Sequence, residues 1–404
     1  MRKPAFIFVF LTVVLDMLAL GMIIPVLPKL VVDFSGGDTA RGAEIFGLFG
    51  TVWALMQFFC SPILGALSDR FGRRPVILIS NFGLGFDYIL MALAPNLGWL
   101  FAGRVISGIC AASISTSYAY IADILPADKR AGAFGLMGAA FGLGFTFGPA
   151  LGGILGNVDP HLPFWVAAAL SLLNGCYGLF VIPESLPRDK RTPFRWSRAN
   201  PVAALKLLRS QRNLIGLASI GFLSNLSHVV LNSTFVLYAG YRYQWSERDV
   251  GFAMALVGIC SMIVQGGLVR PFVRQFGERA ALLCGLSAGA LGFTIFGLAP
   301  NGSIFLIGIV FTTIWGMAGP AGMGLMTRYV GATEQGRLQG ANSSLNGIAM
   351  LIGPTIFTYT FALFIGPSQP MHLPGAPFLL ATLLLGVAFL FAIRVAQPKP
   401  SSQA

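Results

Sequence analysis

Charge is what this sequence has least of. Only 10% of its 404 residues are Asp, Glu, Lys or Arg, where a soluble globular chain carries about 25%, so a surface that faces water all round is excluded. Histidine is nearly as scarce: His161, His228 and His372 lie far apart and make no zinc-binding spacing. No Gly-Lys-Ser or Gly-Lys-Thr occurs, which removes the phosphate-cradling loop that ATP-driven work requires. Five cysteines, Cys60, Cys110, Cys176, Cys260 and Cys284, are odd in number and sit in apolar runs, so they pack rather than build a disulfide framework. Gly285-Leu-Ser287-Ala-Gly289 has the spacing of a hydrolase nucleophile elbow, yet it falls inside an apolar run with no strand before it and no acid-histidine pair to serve it. Catalysis is not expected, and neither is a cofactor or a metal.

Apolar length is what the sequence has in excess. Hydrophobic residues make up 55% of the chain, and twelve runs approach or exceed the roughly 20 residues a bilayer crossing needs. They lie at 6–30, 44–66, 75–95, 99–120, 131–156, 162–183, 214–239, 249–272, 279–299, 303–326, 338–364 and 373–396, and are numbered here as spans 1 to 12. The expected fold class is an all-α membrane protein with twelve transmembrane helices. Met1-Arg2-Lys3 followed by an apolar run looks like a signal peptide, but the run is too long and has no small-residue cleavage site, so span 1 is read as retained.

The net charge of +12 does not point to nucleic acid, because of where the cations lie. With the N-terminus inside, all but Lys29, Arg41, Arg104, Arg242 and Arg248 of the 27 Lys and Arg residues fall in cytoplasmic segments. This positive-inside pattern puts both termini in the cytoplasm. The basic segment 184–213 either lies along anionic lipid, as a short amphipathic helix around Leu205, Leu208, Lys206, Arg209 and Arg212, or is a solvated linker.

Between spans 2 and 3 stands a charged island, Gly65-Ala-Leu-Ser-Asp69-Arg70-Phe-Gly72-Arg73-Arg74. It is expected as a short loop at the membrane surface, with Gly65 and Gly72 allowing tight turns and close helix approach, and Asp69 facing the arginines as a latch. Asp123, near the end of span 4, is a plausible further partner for those arginines; simple solvation is the alternative.

The chain also repeats itself. Leu93-Ala-Pro-Asn96 recurs as Leu298-Ala-Pro-Asn301, Phe71-Gly72 as Phe276-Gly277, and Gly148-Pro149 as Gly353-Pro354, all at an offset of 205 residues. Two six-span halves, 1–183 and 214–404, joined by the basic linker 184–213, are the expected organisation, and parallel repeats of this kind rock about a site near the midplane. The second half has Arg274-Gln275 where the first has Asp69-Arg70, so the latch should be stronger in the first half.

Two acids lie deep in spans. Asp16 is roughly 15 Å along span 1 at 1.5 Å per residue, and Asp87 lies in span 3. A carboxylate at such depth costs about 2.5–3.5 kcal/mol, so both should face an aqueous cavity, the setting a proton carrier needs. Permanent structural pairing is the alternative, more so for Asp87, since Arg104 enters span 4 at a similar depth. On span 7, Asn225, His228 and Asn232 share one face at spacings of three and four. They are candidates for substrate contact, with packing as the bland reading for His228. Gln57, Gln265, Asn342 and Asn346 could add neutral contacts or act as interhelical glue.

The island Asp69-Arg70-Phe71-Gly72-Arg73-Arg74 resembles the signature of the major facilitator superfamily between its second and third helices. Arg104-Val-Ile-Ser-Gly108 is similar to the family's helix 4 motif, whose arginine is linked with proton transfer. Gly144-Phe-Thr-Phe-Gly148-Pro149-Ala-Leu-Gly152-Gly153 looks like the motif that marks drug/proton antiporters within the superfamily. Trp53-Ala-Leu-Met-Gln57, Ser117 through Asp123, Pro183-Glu184-Ser185 and Gly336-Arg337-Leu338-Gln339-Gly340 are similar to tetracycline efflux transporters in particular. The resemblance implies a proton-coupled drug exporter of the bacterial inner membrane, working by alternating access, with protons and a small molecule as partners, the bilayer as surroundings, no nucleic acid and a monomeric state. One departure is clear. Those exporters carry a carboxylate in helix 9 and a histidine in helix 8, where this chain has Gly285-Leu-Ser287-Ala-Gly289 and Ser261. A metal-chelated tetracycline is therefore not the expected substrate. The rival readings are uptake by symport and a sensor of transporter shape.

Overall fold

The computed structural model describes residues 6–111, 113–193, 208, 212–330, 335–366 and 372–395. Most of the segment in which the amphipathic helix was considered, 194–207 and 209–211, lies outside the described residues. The described residues form fifteen α-helices and no strand. They are α1 (Phe6–Ile23), α2 (Leu27–Phe34), α3 (Thr39–Phe71), α4 (Arg73–Ala92), α5 (Leu97–Cys110), α6 (Ser113–Ile124), α7 (Ala127–Gly156), α8 (Leu162–Val181), α9 (Arg212–Tyr243), α10 (Glu247–Ile263), α11 (Val269–Leu298), α12 (Gly302–Ile314), α13 (Ala318–Thr327), α14 (Gln335–Ile365) and α15 (Ala376–Val395).

Among the described residues, eleven helical stretches are long and apolar enough to cross a bilayer. One of them, Glu247–Leu298, runs 52 residues, about 78 Å at 1.5 Å per residue and far more than one bilayer thickness. It breaks at Gly277, whose φ of 83° leaves the helical region, so it is long enough for two crossings, and the described residues are consistent with the twelve expected. Other spans are interrupted too. Span 10 holds a tight 3₁₀ turn at Trp315–Met317, and a π-helical turn at Val264–Leu268 joins α10 to α11.

Helix starts are set by side chains that satisfy the first free N–H groups. Asp38 Oδ1 accepts from the Ala40 and Arg41 amides at 2.9 and 3.1 Å, opening α3. Asn96 accepts from Gly98 and Trp99 at 3.0 and 3.3 Å, and Asn301 accepts from Ile304 at 3.0 Å. The recurring Leu-Ala-Pro-Asn is thus a recurring helix cap, in which proline ends the incoming turn and asparagine begins the next helix.

The chain divides into two compact units. The first comprises Met1–Asn200 with Gln244–Gly258, and the second Pro201–Tyr243 with Ile259–Ala404. In the first, α1 packs against α7 and α8, α4 against α8 and α5, and α3 against α5. Its core has one cluster around Met22, Phe49, Tyr88, Met91 and Phe164, and another around Val13, Ile77, Tyr120 and Met137. In the second, α9 packs against α14 and α15, and α11 against α12, α13 and α15. Its core is aromatic: Phe296 stacks on Phe305 at 4.2 Å, Tyr238 meets Phe378 at 5.0 Å, and the Tyr238 hydroxyl donates to the Phe296 carbonyl at 2.9 Å. A buried tyrosine needs such a partner for its hydroxyl.

Helix α7 carries the glycine-rich string on two faces of the first unit. Gly144 lies against Met17, Gly148 against Gly21 and Gly152 against Met22, so a stripe with a four-residue period seats α1 at backbone distance. A Cβ built on Gly148 would sit 2.7 Å from the Gly21 Cα. On the other face Gly153 meets Glu247 and Gly251 of α10, while Gly251 in turn faces the Pro149 carbonyl at 2.5 Å from an added Cβ.

Candidate functional site

The charged island is not a loop. Helix α3 runs to Phe71 and α4 begins at Arg73, leaving only Gly72, at φ 110°, outside the helical region. Polar residues extend a helix beyond the apolar zone as readily as apolar ones do, which hydropathy alone does not reveal. Gly65 likewise sits inside α3, with nothing within 4 Å of the position a Cβ would take, so it neither turns the chain nor admits a neighbour. Gly72 does both: an added Cβ would collide with the Glu184 carboxylate.

Arg73 is the centre of the cluster expected as a latch. Its guanidinium reaches Asp69 at 2.5 Å and Asp123 at 3.0 Å, and donates to Ser68 Oγ at 2.6 Å. Its backbone amide donates to Glu184 Oε1 at 2.9 Å, which also accepts from the Ser185 and Leu186 amides at 3.0 Å each. Glu184 is therefore the N-terminal cap of α4, supplied from the segment after α8, and a carboxylate there also complements the helix dipole. Ser185 Oγ adds a bond to Asp123 at 3.1 Å. Arg74 donates to the Leu179 carbonyl, and Arg70 lies over the Phe71 ring at 5.0 Å. Four chain segments meet here, each fixed by charge-assisted hydrogen bonds.

The second unit has a counterpart with its charges exchanged. Glu278 and Arg328 pair at 2.8 Å, and they lie 205 residues beyond Arg73 and Asp123. Gly277, at the offset position of Gly72, also has positive φ. Comparison of Arg274-Gln275 with Asp69-Arg70 overlooked this pair, which sits a turn further along. The second latch is the thinner one among the described residues, since only Arg279, donating to the Ile393 carbonyl at 3.1 Å, joins it.

The deep acids are enclosed by helix packing within the first unit rather than lining water: Asp16 is 4% exposed and Asp87 1%. Amides stand where solvent was expected for Asp16. Asn174 Nδ2 donates to Asp16 Oδ1 at 2.9 Å and to the Thr12 carbonyl at 3.0 Å. The Asn81 amide lies 3.3 Å from both carboxylate oxygens and, with its nitrogen turned to them, donates to each. Asp87 differs. Among the described residues neither of its oxygens has a hydrogen-bond partner. Arg104, on the adjacent α5, makes no ion pair with it among the described residues and has its guanidinium 5.2 Å from the Trp53 ring. At the far end of the same unit, Lys29 pairs with the buried Glu247 at 2.6 Å.

The second unit contains a cavity of about 290 Å³. Asn225 and Asn342 line it, joined by Ser224, Gln339, Met323 and Met326, and no titratable side chain faces it. Asn342 donates to the Met323 sulfur at 3.1 Å, and Trp315 Nε1 donates to Ser224 at 3.0 Å. His228 is exposed, with its ring 5.5 Å from that of Trp315 beside the cavity. Gln265 lies in the π-helical turn, close to Gly316. Asn232 and Asn346 are exposed and do not line the cavity, and Gln57 is half-buried on α3 of the first unit. Sequence reasoning missed Asn81, Asn174, Ser224 and Gln339 as site residues. A polar side chain inside an apolar run was the available signal for each.

Known proteins match over nearly all of the chain. The model of the Major Facilitator Superfamily matches residues 9–354 and 217–404. The class C tetracycline resistance protein of Escherichia coli is 37% identical over 351 residues, covering 87% of this chain and 88% of that one. The class G protein of Vibrio anguillarum is 35% identical, with 90% and 91% covered, and the class D protein of Salmonella ordonez is 30% identical with 99% of each covered. Among solved structures, the human organic anion transporter MFSD10 is 25% identical with a TM-score of 0.71, covering 97% of this chain and all of that one. The nucleoside transporter NupG reaches 0.77 at 14% identity over 98% of this chain and 99% of that one, a likeness of fold alone. The helical architecture, the latch and these matches agree: the chain is a multi-pass membrane protein and belongs to the Major Facilitator Superfamily.

Proposed function

We propose that this protein is a proton-coupled exporter of small amphiphilic compounds that works by alternating access, as a monomer in the bacterial inner membrane with both termini in the cytoplasm, and that it is a transporter and not an enzyme. Relatives named for tetracycline resistance support the drug-export reading. The observation that carries proton coupling is Asp87: a carboxyl 1% exposed, without a hydrogen-bond partner among the described residues, on a helix adjacent to the one bearing Arg104. An ionised carboxylate left that way costs several kcal/mol and a protonated one far less. Movement of Arg104 between the Trp53 ring and Asp87 would exchange a proton for an ion pair, which is the elementary step of coupling. One proton crossing 100 mV supplies about 2.3 kcal/mol, or roughly a 50-fold concentration ratio.

The cavity of the second unit suits the substrate end of the reading. Its amides, hydroxyl and methionines offer neutral hydrogen bonds on an adaptable apolar wall. Such a lining fits uncharged or weakly charged amphiphiles better than a metal-chelated anion. The test uses everted vesicles loaded acid inside. A panel of drugs that includes a tetracycline is added, and drug-induced alkalinisation of the lumen is followed in wild type, Asp16→Asn and Asp87→Asn. A signal in wild type that Asp87→Asn abolishes is expected; no signal for any compound from folded protein would sink the exporter reading.

A further inference from the structure

We propose that His228 is the recognition residue for an ionised oxygen group, a carboxylate or phenolate, on an amphiphile held in the cavity of the second unit, and that its imidazole takes up a proton as that group binds. The proposal rests on the exporter reading above and adds the acidic group that the substrate class carries.

Ser224 and Asn225 line the cavity, and His228 follows them by four and three residues on the same face of α9. Its neighbours Ser227, Val229 and Val230 are buried, while His228 is exposed. A histidine kept for packing is expected to be buried and hydrogen-bonded. This one makes neither a hydrogen bond nor an ion pair among the described residues, and its ring lies 5.5 Å from that of Trp315, tilted by 40°.

The indole is fixed in place. Trp315 is 6% exposed, its Nε1 donates to Ser224 Oγ at 3.0 Å, and the Phe293 ring stands edge-on at 5.4 Å. Gly289 leaves the room it needs, since a Cβ there would lie 2.7 Å from Trp315 Cγ. One hydrogen bond thus ties the support of the imidazole to a wall residue of the cavity. An imidazolium within about 6 Å of an indole ring gains a cation–π attraction, which steadies the cation without cancelling its charge. A carboxylate partner would cancel it.

No such carboxylate is at hand among the described residues. The helices packed against α9 are α13, α14 and α15, and α13 has no titratable side chain. Gly353 of α14 touches Val229 and so marks the level of His228; from there Tyr359 is about 9 Å along the helix and Arg337 about 24 Å. Ser227 bonds the Ala381 carbonyl of α15, from which Arg394 is about 20 Å away. On α9 itself Tyr238 is about 15 Å from His228, with Tyr241, Arg242 and Tyr243 beyond it, and Arg212 is about 24 Å away in the other direction. Helix α11, which reaches Trp315 through Gly289 and Phe293, carries Cys284, with Arg270, Arg274, Glu278 and Arg279 nearer its start; Glu278 is paired with Arg328.

A counter-ion therefore has to arrive with the ligand. An acid that enters a cavity lined by amides, a hydroxyl and methionines leaves its water and meets no fixed charge. Histidine titrates near neutral pH, and an arriving anion favours its protonated form. The proton comes from solvent, so ligand and imidazolium form a neutral pair. By linkage, binding that takes up a proton weakens as pH rises, by about tenfold per unit between the titration points of the free and the ligand-bound imidazole.

The experiment is isothermal titration calorimetry of the full-length protein in lipid nanodiscs, with 2-naphthoate and its neutral amide, 2-naphthamide, each measured against empty nanodiscs. Transport is not read, so failure of export and failure of this subsite are told apart. Repeating the naphthoate titration in buffers of different ionisation enthalpy counts the protons taken up. In wild type the acid should bring a proton with it and lose about tenfold in affinity per pH unit above neutrality, while the amide brings none and binds alike at each pH. His228→Gln, which keeps a hydrogen-bond donor and carries no charge, should bind the amide as before and the acid weakly, without a proton. Naphthoate that does not bind wild type, binding without proton uptake, or uptake that persists in His228→Gln overturns the proposal. The wild-type comparison of acid with amide decides the matter even where the variant fails to fold.

Discussion

Arg73→Ala should open the first-unit latch far more than Glu278→Ala opens the second, and the difference can be worked from the structure. The substitution removes a bond to Asp123 at 3.0 Å and one to Ser68 at 2.6 Å from a side chain 10% exposed. The contact with Asp69 adds little, because that carboxylate is 43% exposed and screened. Hydrogen bonds to a charged group contribute about 1.5–3 kcal/mol. Asp123 keeps its bond to Ser185 and Ser68 its bond to the Gly65 carbonyl, so the net loss is about that of one such bond, about 1.5–3 kcal/mol, or roughly 13- to 160-fold in the local opening equilibrium. Glu278→Ala breaks one pair whose arginine is 64% exposed, discounted by solvent to about 0.5 kcal/mol, or roughly twofold. Amide hydrogen exchange reads local opening directly. The Gly72 and Arg73 amides should exchange faster by the first factor in Arg73→Ala, and the amides around Gly277 by the second in Glu278→Ala. Equal acceleration in the two units would refute the reasoning, since burial would then not govern what these pairs contribute.

Other outcomes follow from the same geometry. Gly148→Ala drives a Cβ against the Gly21 backbone and should lower the thermal midpoint in detergent by an amount equivalent to about 1–3 kcal/mol. Gly135→Ala, with nothing within 4 Å, should leave it unchanged or raise it. Gly72→Ala combines a left-handed backbone with the Glu184 collision and should cost more than Gly277→Ala, which bears only the backbone penalty of roughly 1–3 kcal/mol; the same melting assay ranks them. Asn225→Leu and Asn342→Leu should each raise the KM for a hydrogen-bonding substrate about tenfold through loss of one bond, with kcat unchanged, while Asn232→Leu, outside the cavity, should leave vesicle flux as it was.

The membrane crossings were legible because apolar length is a property of composition, and so was the repeat, because Leu-Ala-Pro-Asn and Phe-Gly each perform a local backbone task. The ends and interruptions of the helices were not. A π turn at Val264–Leu268 or a 3₁₀ turn at Trp315–Met317 changes the hydrogen-bond register by one residue and leaves hydropathy untouched. Arg73 and Asp123 stood out as charges in a chain that has few. Glu184 was visible in Pro183-Glu184-Ser185 but not as a helix cap, since the helix it caps begins 111 residues earlier. Asn81 and Asn174 were hidden for another reason: an asparagine in a membrane helix commonly bonds a neighbour, and only tertiary packing shows that the neighbour is Asp16.

The exchanged signs of the two latches bear on how the halves can be traded. A cut-and-paste chimera that moves the island of residues 69–74 into positions 274–279 would set an arginine against Arg328, two like charges where the chain has an attracting pair. The same graft accompanied by Arg328→Asp would restore attraction. Duplicated segments of this protein are thus alike in backbone and incompatible in polarity, and any recombination between them must carry both members of a pair together.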